Sequence, residues 1–277
     1  MLAQVSDLLN PMRDERMSPR VSVTDEIGCF KDLWKGGYFE GDPLDPFTAS
    51  GYGPLGYLSV LYATYLVCIR PYVNSTSRCL EIGPGRGAWT KCMLNAEEVW
   101  CVDALSADHN GFWDYLGRAE NVKYFQVTDL KCSMLPSDHF DFLFSFGCFC
   151  HLSPSAYEEY LTSLFSKLKA GAHGFVMIAD YDKYNHALTS LHRAGVKLVL
   201  SGRRYLPLRL LETAADRLIP RAHRLADKNE DLVPRAGRWY HLGTSEACAT
   251  LERHGYKVVE ADVGVNHRDP IVHFVKP

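Results

Sequence analysis

The chain has 277 residues, a formal net charge of −3 and a hydrophobic content of 47%. This length suits one large domain or two small ones with a substantial core. The slightly acidic balance argues against a nucleic-acid-binding surface along the whole chain. The nine cysteines are scattered through apolar runs, which predicts buried thiols in a reduced compartment and no disulfide framework.

Neither a signal peptide nor a membrane span is predicted. The first residues lack a charged start followed by an apolar stretch. The longest apolar run, residues 57–69, is shorter than the ~20 residues that cross a bilayer. We therefore expect a cytoplasmic protein without a membrane span, and the sequence leaves open whether it forms a homo-oligomer.

The first quarter of the chain predicts an arm, a lid and a helix. Residues 1–26 are polar and predict a mobile N-terminal arm. Residues 27–76 carry aromatic side chains such as Trp34 on glycine and proline turns, which suits either a lid over a ligand or a cover over a sheet edge. Within them, residues 55–70 favour a buried helix that ends before Pro71.

A glycine-rich motif follows. An apolar run contains Glu81, and the glycines Gly83, Gly85 and Gly87 come at alternate positions before a helical pattern. Glycines allow a positive φ and the close approach of a ligand to the backbone, and a helix start offers unpaired N–H groups. Asp103 ends the next apolar run, where an acid can accept hydrogen bonds from ribose hydroxyls. This spacing predicts a site for a nucleoside-containing cofactor.

Two cofactor classes fit the glycines. With Ala88 in the last position they match the dinucleotide fingerprint. With Glu81 two residues before the first glycine and Gly87 as the third, the motif resembles that of the class I S-adenosylmethionine (SAM) methyltransferases. The resemblance extends in element order over residues 77–277, the predicted catalytic domain. It implies that SAM is the cofactor and that Glu81 and the loop hold its methionine end.

Strand and helix patterns then alternate, which predicts a doubly wound, mostly parallel α/β sheet with helices on both faces. A final helix over 244–254, ended by Gly255, precedes two strands at 257–265 and 271–275. Such an antiparallel end is what the seven-stranded methyltransferase fold has, and it favours SAM over a dinucleotide. The earlier predicted strands are 78–83, 99–103, 122–127, 140–146 and 174–179, and the earlier predicted helices are 88–95, 110–116 and 155–170.

Further cofactor contacts are implied by the same resemblance. Asp129, after the third strand, takes the place of an acid that contacts the adenine amino group, although an acid there can also be a helix cap. Ala104 and Leu130, next to the two acids, and Phe146, at the end of the fourth strand, complete the predicted cofactor-binding set.

Catalytic candidates lie after the fourth and fifth strands, at the edge where ligands bind in open α/β sheets. His151 is a candidate general base, or a residue that only shapes the pocket. Asp180 takes the place of a carboxylate that holds a divalent cation in some O-methyltransferases, with Asp182 and His186 nearby. The companion acid after the fourth strand is missing, so a cation is not favoured, and Asp180 or His186 stays a candidate base or acceptor ligand.

Zinc is not expected either. Cys148, Cys150 and His151 resemble half of a zinc site, but a second Cys/His pair at zinc spacing is missing from the sequence.

A basic insertion covers residues 187–239, with eleven lysine or arginine residues against five acidic residues. Apolar residues recur three or four positions apart, which predicts amphipathic helix. Three interpretations stay open: a helix packed on the core, a cap that attracts an anionic acceptor through its arginines, or a helix on a membrane surface.

The favoured function is therefore SAM-dependent methyl transfer to a hydroxyl of a small, anionic or sugar-like metabolite. From Trp34 onward the chain also resembles bacterial sugar O-methyltransferases. The alternatives are N-methyl transfer to a small molecule or protein, and a SAM-binding module without turnover. Because aligning the acceptor with the methyl group contributes more than a general base, no conspicuous catalytic triad is expected.

Overall fold

The computed structural model describes residues 41–48, 54–55, 58–187 and 239–277. The predicted arm at 1–26, residues 27–40, 49–53 and 56–57 of the segment predicted as lid and helix, and residues 188–238 of the insertion lie outside the described residues.

Seven strands build one sheet. The first five pair in parallel, and the last strand runs antiparallel to both of its neighbours. This confirms the predicted doubly wound sheet with an antiparallel C-terminal strand. The strands are β1 (Arg78–Ile82), β2 (Glu98–Asp103), β3 (Val122–Gln126), β4 (Phe140–Ser145), β5 (Leu168–Met177), β6 (Lys257–Glu260) and β7 (Ile271–Val275). Their order across the sheet is β3-β2-β1-β4-β5-β7-β6.

The central strands are apolar on both faces, as parallel strands covered on both sides must be. In β4, Phe142 and Phe144 belong to one buried cluster and Leu143 to the other. The side chains of neighbouring residues in a strand point to opposite faces, so one strand serves two hydrophobic cores.

Helices flank the sheet. The segment α1 (Val60–Thr64) continues into a π-helix, Tyr65–Ile69, and is followed by α2 (Phe112–Leu116), α3 (Pro154–Phe165) and α4 (Thr244–Arg253). Helix α3 begins as predicted: Ser153 caps it by accepting from the Ala156 N–H, and a proline holds the first position. Helix α4 ends as predicted, before Gly255 with φ +87°.

The predicted boundaries were wrong in three helices. The helix predicted from residue 55 begins at Val60, because Pro54–Leu55 and Leu58–Ser59 pair as a small antiparallel hairpin. The helix predicted over 88–95 is a 3₁₀ turn, Thr90–Met93. The helix predicted over 155–170 ends at Phe165, and the chain becomes strand from Leu168.

Strand β5 extends toward its N-terminus because partners hold it on both sides. The Gly171 N–H donates to the Lys276 carbonyl at 2.7 Å. A Cβ on Gly174 would lie 2.3 Å from the Phe274 ring, so glycine lets β7 pack closely here. At the other edge, β6 stops at Glu260 and not at residue 265, after a register shift against β7 between Val258 and Glu260.

Within the described ranges, none of the helices has the length and hydropathy that a bilayer crossing requires.

Candidate cofactor and acceptor site

The loop after β1 has the backbone that its glycines predict. Gly83, Gly85 and Gly87 have φ of +72°, +53° and +92°, a region that side chains with a Cβ rarely adopt. A Cβ on Gly83 would also lie 2.4 Å from the Cys148 Cβ, and one on Gly87 would lie 2.9 Å from the Phe112 ring. The loop is therefore closely packed from two sides and needs glycine for both reasons.

Glu81 lies beneath this loop. Its Oε2 accepts hydrogen bonds from Thr90 Oγ1 at 2.6 Å and from Cys101 Sγ at 3.8 Å. The residue is 1% exposed, and burial raises its pKa to about 8. The carboxylate thus joins the strand before the loop to the turn after it, and we expect it to act on a ligand through the loop's shape.

Asp103 links the end of β2 to the loop. Its Oδ2 accepts from the Gly85 N–H at 3.3 Å, and its Oδ1 accepts from the Leu105 N–H at 2.9 Å. Burial raises the pKa of this carboxyl to about 6. The acid predicted for the ribose therefore lies at hydrogen-bond distance from the middle glycine, at the carboxyl edge of the sheet.

The other predicted cofactor residues surround the same edge. Asp129 is exposed, and its Oδ1 accepts from the Lys131 N–H at 2.9 Å, as in an Asx turn. Leu130 is buried, and the carbonyl of the half-buried Ala104 accepts from Gln126 Nε2. The Phe146 ring is also buried, and its centroid lies 4.7 Å from that of Trp89.

Part of the predicted lid contacts the loop. Lys91 Nζ lies 2.5 Å from Asp42 Oδ2, and an Arg86 guanidinium nitrogen donates to the Gly41 carbonyl at 3.0 Å. The Arg86 guanidinium carbon also lies 4.5 Å from the centroid of the Tyr115 ring. Sequence reasoning did not find these contacts, because a single lysine and a single aspartate 49 positions apart give no periodic signal.

His151 ends a 3₁₀ turn, Phe149–His151, directly after β4. It is 9% exposed, and its N–H donates to the Cys148 carbonyl at 2.9 Å. Since Cys148 packs against Gly83, the histidine belongs to the segment that contacts the glycine loop after β1.

Asp180 has a structural role that the sequence did not predict. Its Oδ1 accepts from the N–H groups of Asp182 and Lys183, at the start of the helical residues 181–187. Its Oδ2 accepts from Thr244 N at 2.9 Å and Thr244 Oγ1 at 2.6 Å, at the start of α4. Burial acts to raise its pKa, but these four hydrogen bonds outweigh it and lower the pKa. One carboxylate therefore caps two helices, a geometry that does not favour a base or a metal ligand.

His186, the third catalytic candidate, is exposed on the same short helix. Among the described residues, no group of three or more His, Cys, Asp or Glu side chains could hold a metal ion.

The segment that begins at Trp239 lies beside the carboxyl end of β5. The segment from Trp239 runs between two strand ends: Tyr240 N donates to the Cys150 carbonyl at 3.0 Å, and Leu242 N donates to the Ala179 carbonyl at 3.2 Å. The Tyr184 ring meets Trp239 edge-on at 4.9 Å. The sequence placed Trp239 at the end of the insertion and did not predict its contact with Tyr184.

The sheet order, the glycine loop after β1 and the acid at the end of β2 define a class I SAM-dependent methyltransferase, as the motif predicted. The chain belongs to the methyltransferase domain family, whose model matches residues 57–261. No curated protein matches the chain.

Solved structures are similar to the chain. An S-adenosylmethionine dependent methyltransferase from Mesorhizobium loti is 16% identical, with a TM-score of 0.50, over 78% of this chain and 98% of that chain. A SAM dependent methyltransferase from Aquifex aeolicus is 15% identical, with a TM-score of 0.47, over 74% and 85%. PKMT2 from Rickettsia typhi, in complex with AdoHcy, is 14% identical, with a TM-score of 0.46, over 73% and 49%. The likeness to the Mesorhizobium loti structure shows the fold alone.

The residues at the loop fit SAM. The close packing at Gly83 leaves no room for a side chain on this part of the loop, and the Asp103 carboxylate lies next to the loop at the end of β2, where an acid can accept from ribose hydroxyls. SAM supplies a methyl group activated by a sulfonium.

Proposed function

We propose that the protein transfers the methyl group of SAM to a hydroxyl of a small, anionic or sugar-like acceptor. The observation that carries this proposal is the Gly85–Asp103 hydrogen bond, because it joins the cofactor loop to the ribose acid in one arrangement. The polar and aromatic residues after β4 and β5 lie at the same edge and suit a small acceptor.

The residues then act by holding the acceptor. In-line displacement needs the acceptor oxygen aligned with the methyl group, and such alignment contributes ~7–11 kcal/mol. As the oxygen takes the methyl group, its proton passes to a base, and we assign that role to His151. We assign His186 to contact with the acceptor and Asp180 to positioning, since its oxygens cap two helices.

The basic residues of the insertion deepen the same proposal. We assign the insertion 187–239 to an acceptor cap, with residues 1–26 as an arm and residues 27–76 as a lid with the leading helix. Eleven basic residues in the insertion favour an anionic acceptor.

Calorimetry with SAM and with NAD tests the cofactor. The wild type should bind SAM, and Gly85→Val should not, because valine strains the loop at φ +53°. Gly171→Val is the matched control, since Gly171 also has a positive φ, of +82°, but lies near the N-terminal end of β5, away from the loop. Binding of NAD without SAM would contradict the proposal.

An acceptor screen tests the reaction. Anionic sugars, phenolic acids and amines are offered with SAM, and S-adenosylhomocysteine is measured. Turnover with a hydroxylated anion supports the proposal, and a preference for an amine would instead support N-methyl transfer. SAM binding without turnover on a cell metabolite extract would favour the binding module.

A further inference from the structure

The loop between β6 and β7 holds one arginine in a fixed position. Arg268 Nε donates to Asp269 Oδ2 at 2.7 Å, and the Arg268 N–H donates to Asn266 Oδ1 at 3.0 Å. The guanidinium carbon lies 4.8 Å from the centroid of the Trp239 ring. The ion pair and the cation–π contact therefore fix the Arg268 side chain, and the N–H hydrogen bond fixes its backbone.

This arginine lies at the acceptor edge of the sheet. Ile271, the first residue of β7, pairs with Met177, the last residue of β5, and Ile178 N donates to the Pro270 carbonyl at 3.0 Å. The loop is thereby attached to the carboxyl end of β5. Trp239, which Arg268 covers, precedes the residue that bonds to Cys150, the neighbour of His151.

Burying Asp269, the ion-pair partner of Arg268, costs free energy. Asp269 has 0% exposure, and burial raises the pKa of its carboxyl to about 6. A buried carboxylate stabilises a fold only when its charge is matched, and replacing such a pair by apolar groups is often neutral or better. Arg268 itself keeps 29% of its side chain exposed. The arrangement thus fixes a partly exposed arginine side chain at this edge of the sheet.

A second cation lies near this loop. His267, the neighbour of Arg268, has its pKa lowered by burial and then by the charges of Arg268 and Lys183. Lys183 lies 2.5 Å from Asp262 and is paired with that acid, as Arg268 is paired with Asp269. The edge therefore carries two cations, each matched by one carboxylate.

We propose that Arg268 binds the anionic group, a carboxylate or a phosphate, of the methyl acceptor. A guanidinium held in a plane matches both groups through paired N–H donors. This inference rests on the proposed function and names the residue that selects the substrate class.

The test uses three aromatic probes of similar size: benzoate, phenyl phosphate and the neutral benzyl alcohol. Each is added to the protein loaded with S-adenosylhomocysteine, and binding is followed by saturation-transfer NMR. We expect an anionic probe to bind the wild type, and its affinity to fall at least fivefold in Arg268→Gln. Whichever of the two anions binds more tightly identifies the anionic group.

Two further variants keep the result interpretable. Arg118→Gln is the matched control, because Arg118 lies 5.0 Å from the Trp113 ring near α2, and it should bind the anions as the wild type does. Arg268→Gln alone leaves the Asp269 charge buried, so the double variant Arg268→Gln/Asp269→Asn removes both charges together and should show the same loss.

Equal anion binding in the wild type and in the folded double variant would overturn the inference, as would absent anion binding in the wild type. Calorimetry with SAM on the same samples separates the two proposals. If the anion test fails but all variants still bind SAM, the inference about Arg268 fails and the proposed function stands. If the wild type does not bind SAM, the proposed function itself fails.

Discussion

Thr90 Oγ1 donates a hydrogen bond of 2.6 Å to Glu81 Oε2 and so joins the turn after the glycine loop to the strand before it. The loop is closed by side chains beneath it as well as by its own backbone. The Asp103 carboxylate holds its middle from the side, through the Gly85 N–H. A loop fixed in this way needs little reordering when a ligand binds, and that lowers the cost of binding.

Thr90→Val should weaken both the fold and SAM binding. Valine keeps the shape but removes the donor, and a buried carboxyl group that loses a hydrogen-bond partner costs about 1–3 kcal/mol. Denaturant unfolding and SAM calorimetry measure the two effects. Thr162→Val, whose exposed hydroxyl bonds to the Glu158 carbonyl, is the control and should change neither. Wild-type stability in Thr90→Val would mean that the Glu81 bond contributes little.

The pH dependence of stability should depend on Glu81. Its pKa is raised from 4.5 to about 8, so the folded state binds a proton that the unfolded chain has lost between these pH values. Stability is therefore full below pH 4.5 for this group and falls as the pH rises toward 8, by roughly 3–5 kcal/mol. Glu81→Gln should remove this decline, measured as unfolding free energies at pH 5, 7 and 9. A decline of equal size in the variant would assign it to other groups.

Sequence patterns predicted the sheet because each of its strands is an apolar run with an abrupt end. Local spacing also predicted the loop at Gly83 and Gly85 and the acid Asp103 at the end of β2, and their contact with SAM stays a prediction. Helix ends were less predictable: the helix predicted over 155–170 ends at Phe165, and Leu168 is already strand because it pairs with Phe140 of β4.

Long-range contacts were beyond the sequence. Nothing local to Asp180 indicates that Thr244, 64 positions away, donates a hydrogen bond to one of its carboxylate oxygens. The sequence therefore predicted Asp180 only as a base or an acceptor ligand and did not predict its two helix caps, and the catalytic role stays a prediction. Arg268 and Trp239 were missed for the same reason, because the loop and the end of the insertion meet only in the folded chain.

Asp180→Asn should destabilise the fold without a specific loss of turnover. An amide keeps one acceptor but turns its NH₂ toward N–H donors, so at least one helix cap is lost, at about 0.5–2 kcal/mol per cap. The expected result is a lower unfolding midpoint, with kcat per folded molecule within a few-fold of wild type. A large fall in kcat at full folding would return Asp180 to the catalytic set.

Two histidines should make the protein sensitive to mild acid. His173 Nδ1 and His273 Nε2 lie 2.9 Å apart under the Tyr72 ring, and Glu260 is the β6 residue opposite His273. Burial, followed by the charge of His173, lowers the His273 pKa from 6.5 to about 4.

The unfolded chain then binds the His273 proton first as the pH falls, so stability is full above pH 6.5 and declines toward pH 4, by roughly 2–3 kcal/mol. His273→Phe keeps a ring on Phe175, at 4.1 Å in the wild type, and should flatten this decline. His109→Gln, at an exposed position, should leave it unchanged. Urea unfolding at pH 7, 5.5 and 4.5 distinguishes the two, and an unaltered slope in His273→Phe would contradict the assignment.

Lys91 and Asp42 should affect the rate of cofactor release more than the affinity. Their ion pair of 2.5 Å attaches residues 41–48, the first described part of the predicted lid, to the turn after the glycine loop, but both side chains are about one-third exposed. Exposed pairs contribute about 0–1 kcal/mol, so Lys91→Met should raise the SAM Kd by less than about fivefold.

If the predicted lid must leave the loop before SAM can leave, Lys91→Met should speed SAM dissociation. High salt should do the same in the wild type by screening the pair. Stopped-flow displacement of SAM at two salt concentrations measures both effects. Lys123→Met, which removes a similarly exposed pair with Glu98 at the start of β2, is the matched control. Equal dissociation rates in Lys91→Met and the wild type would show that residues 41–48 do not cover the path by which SAM leaves.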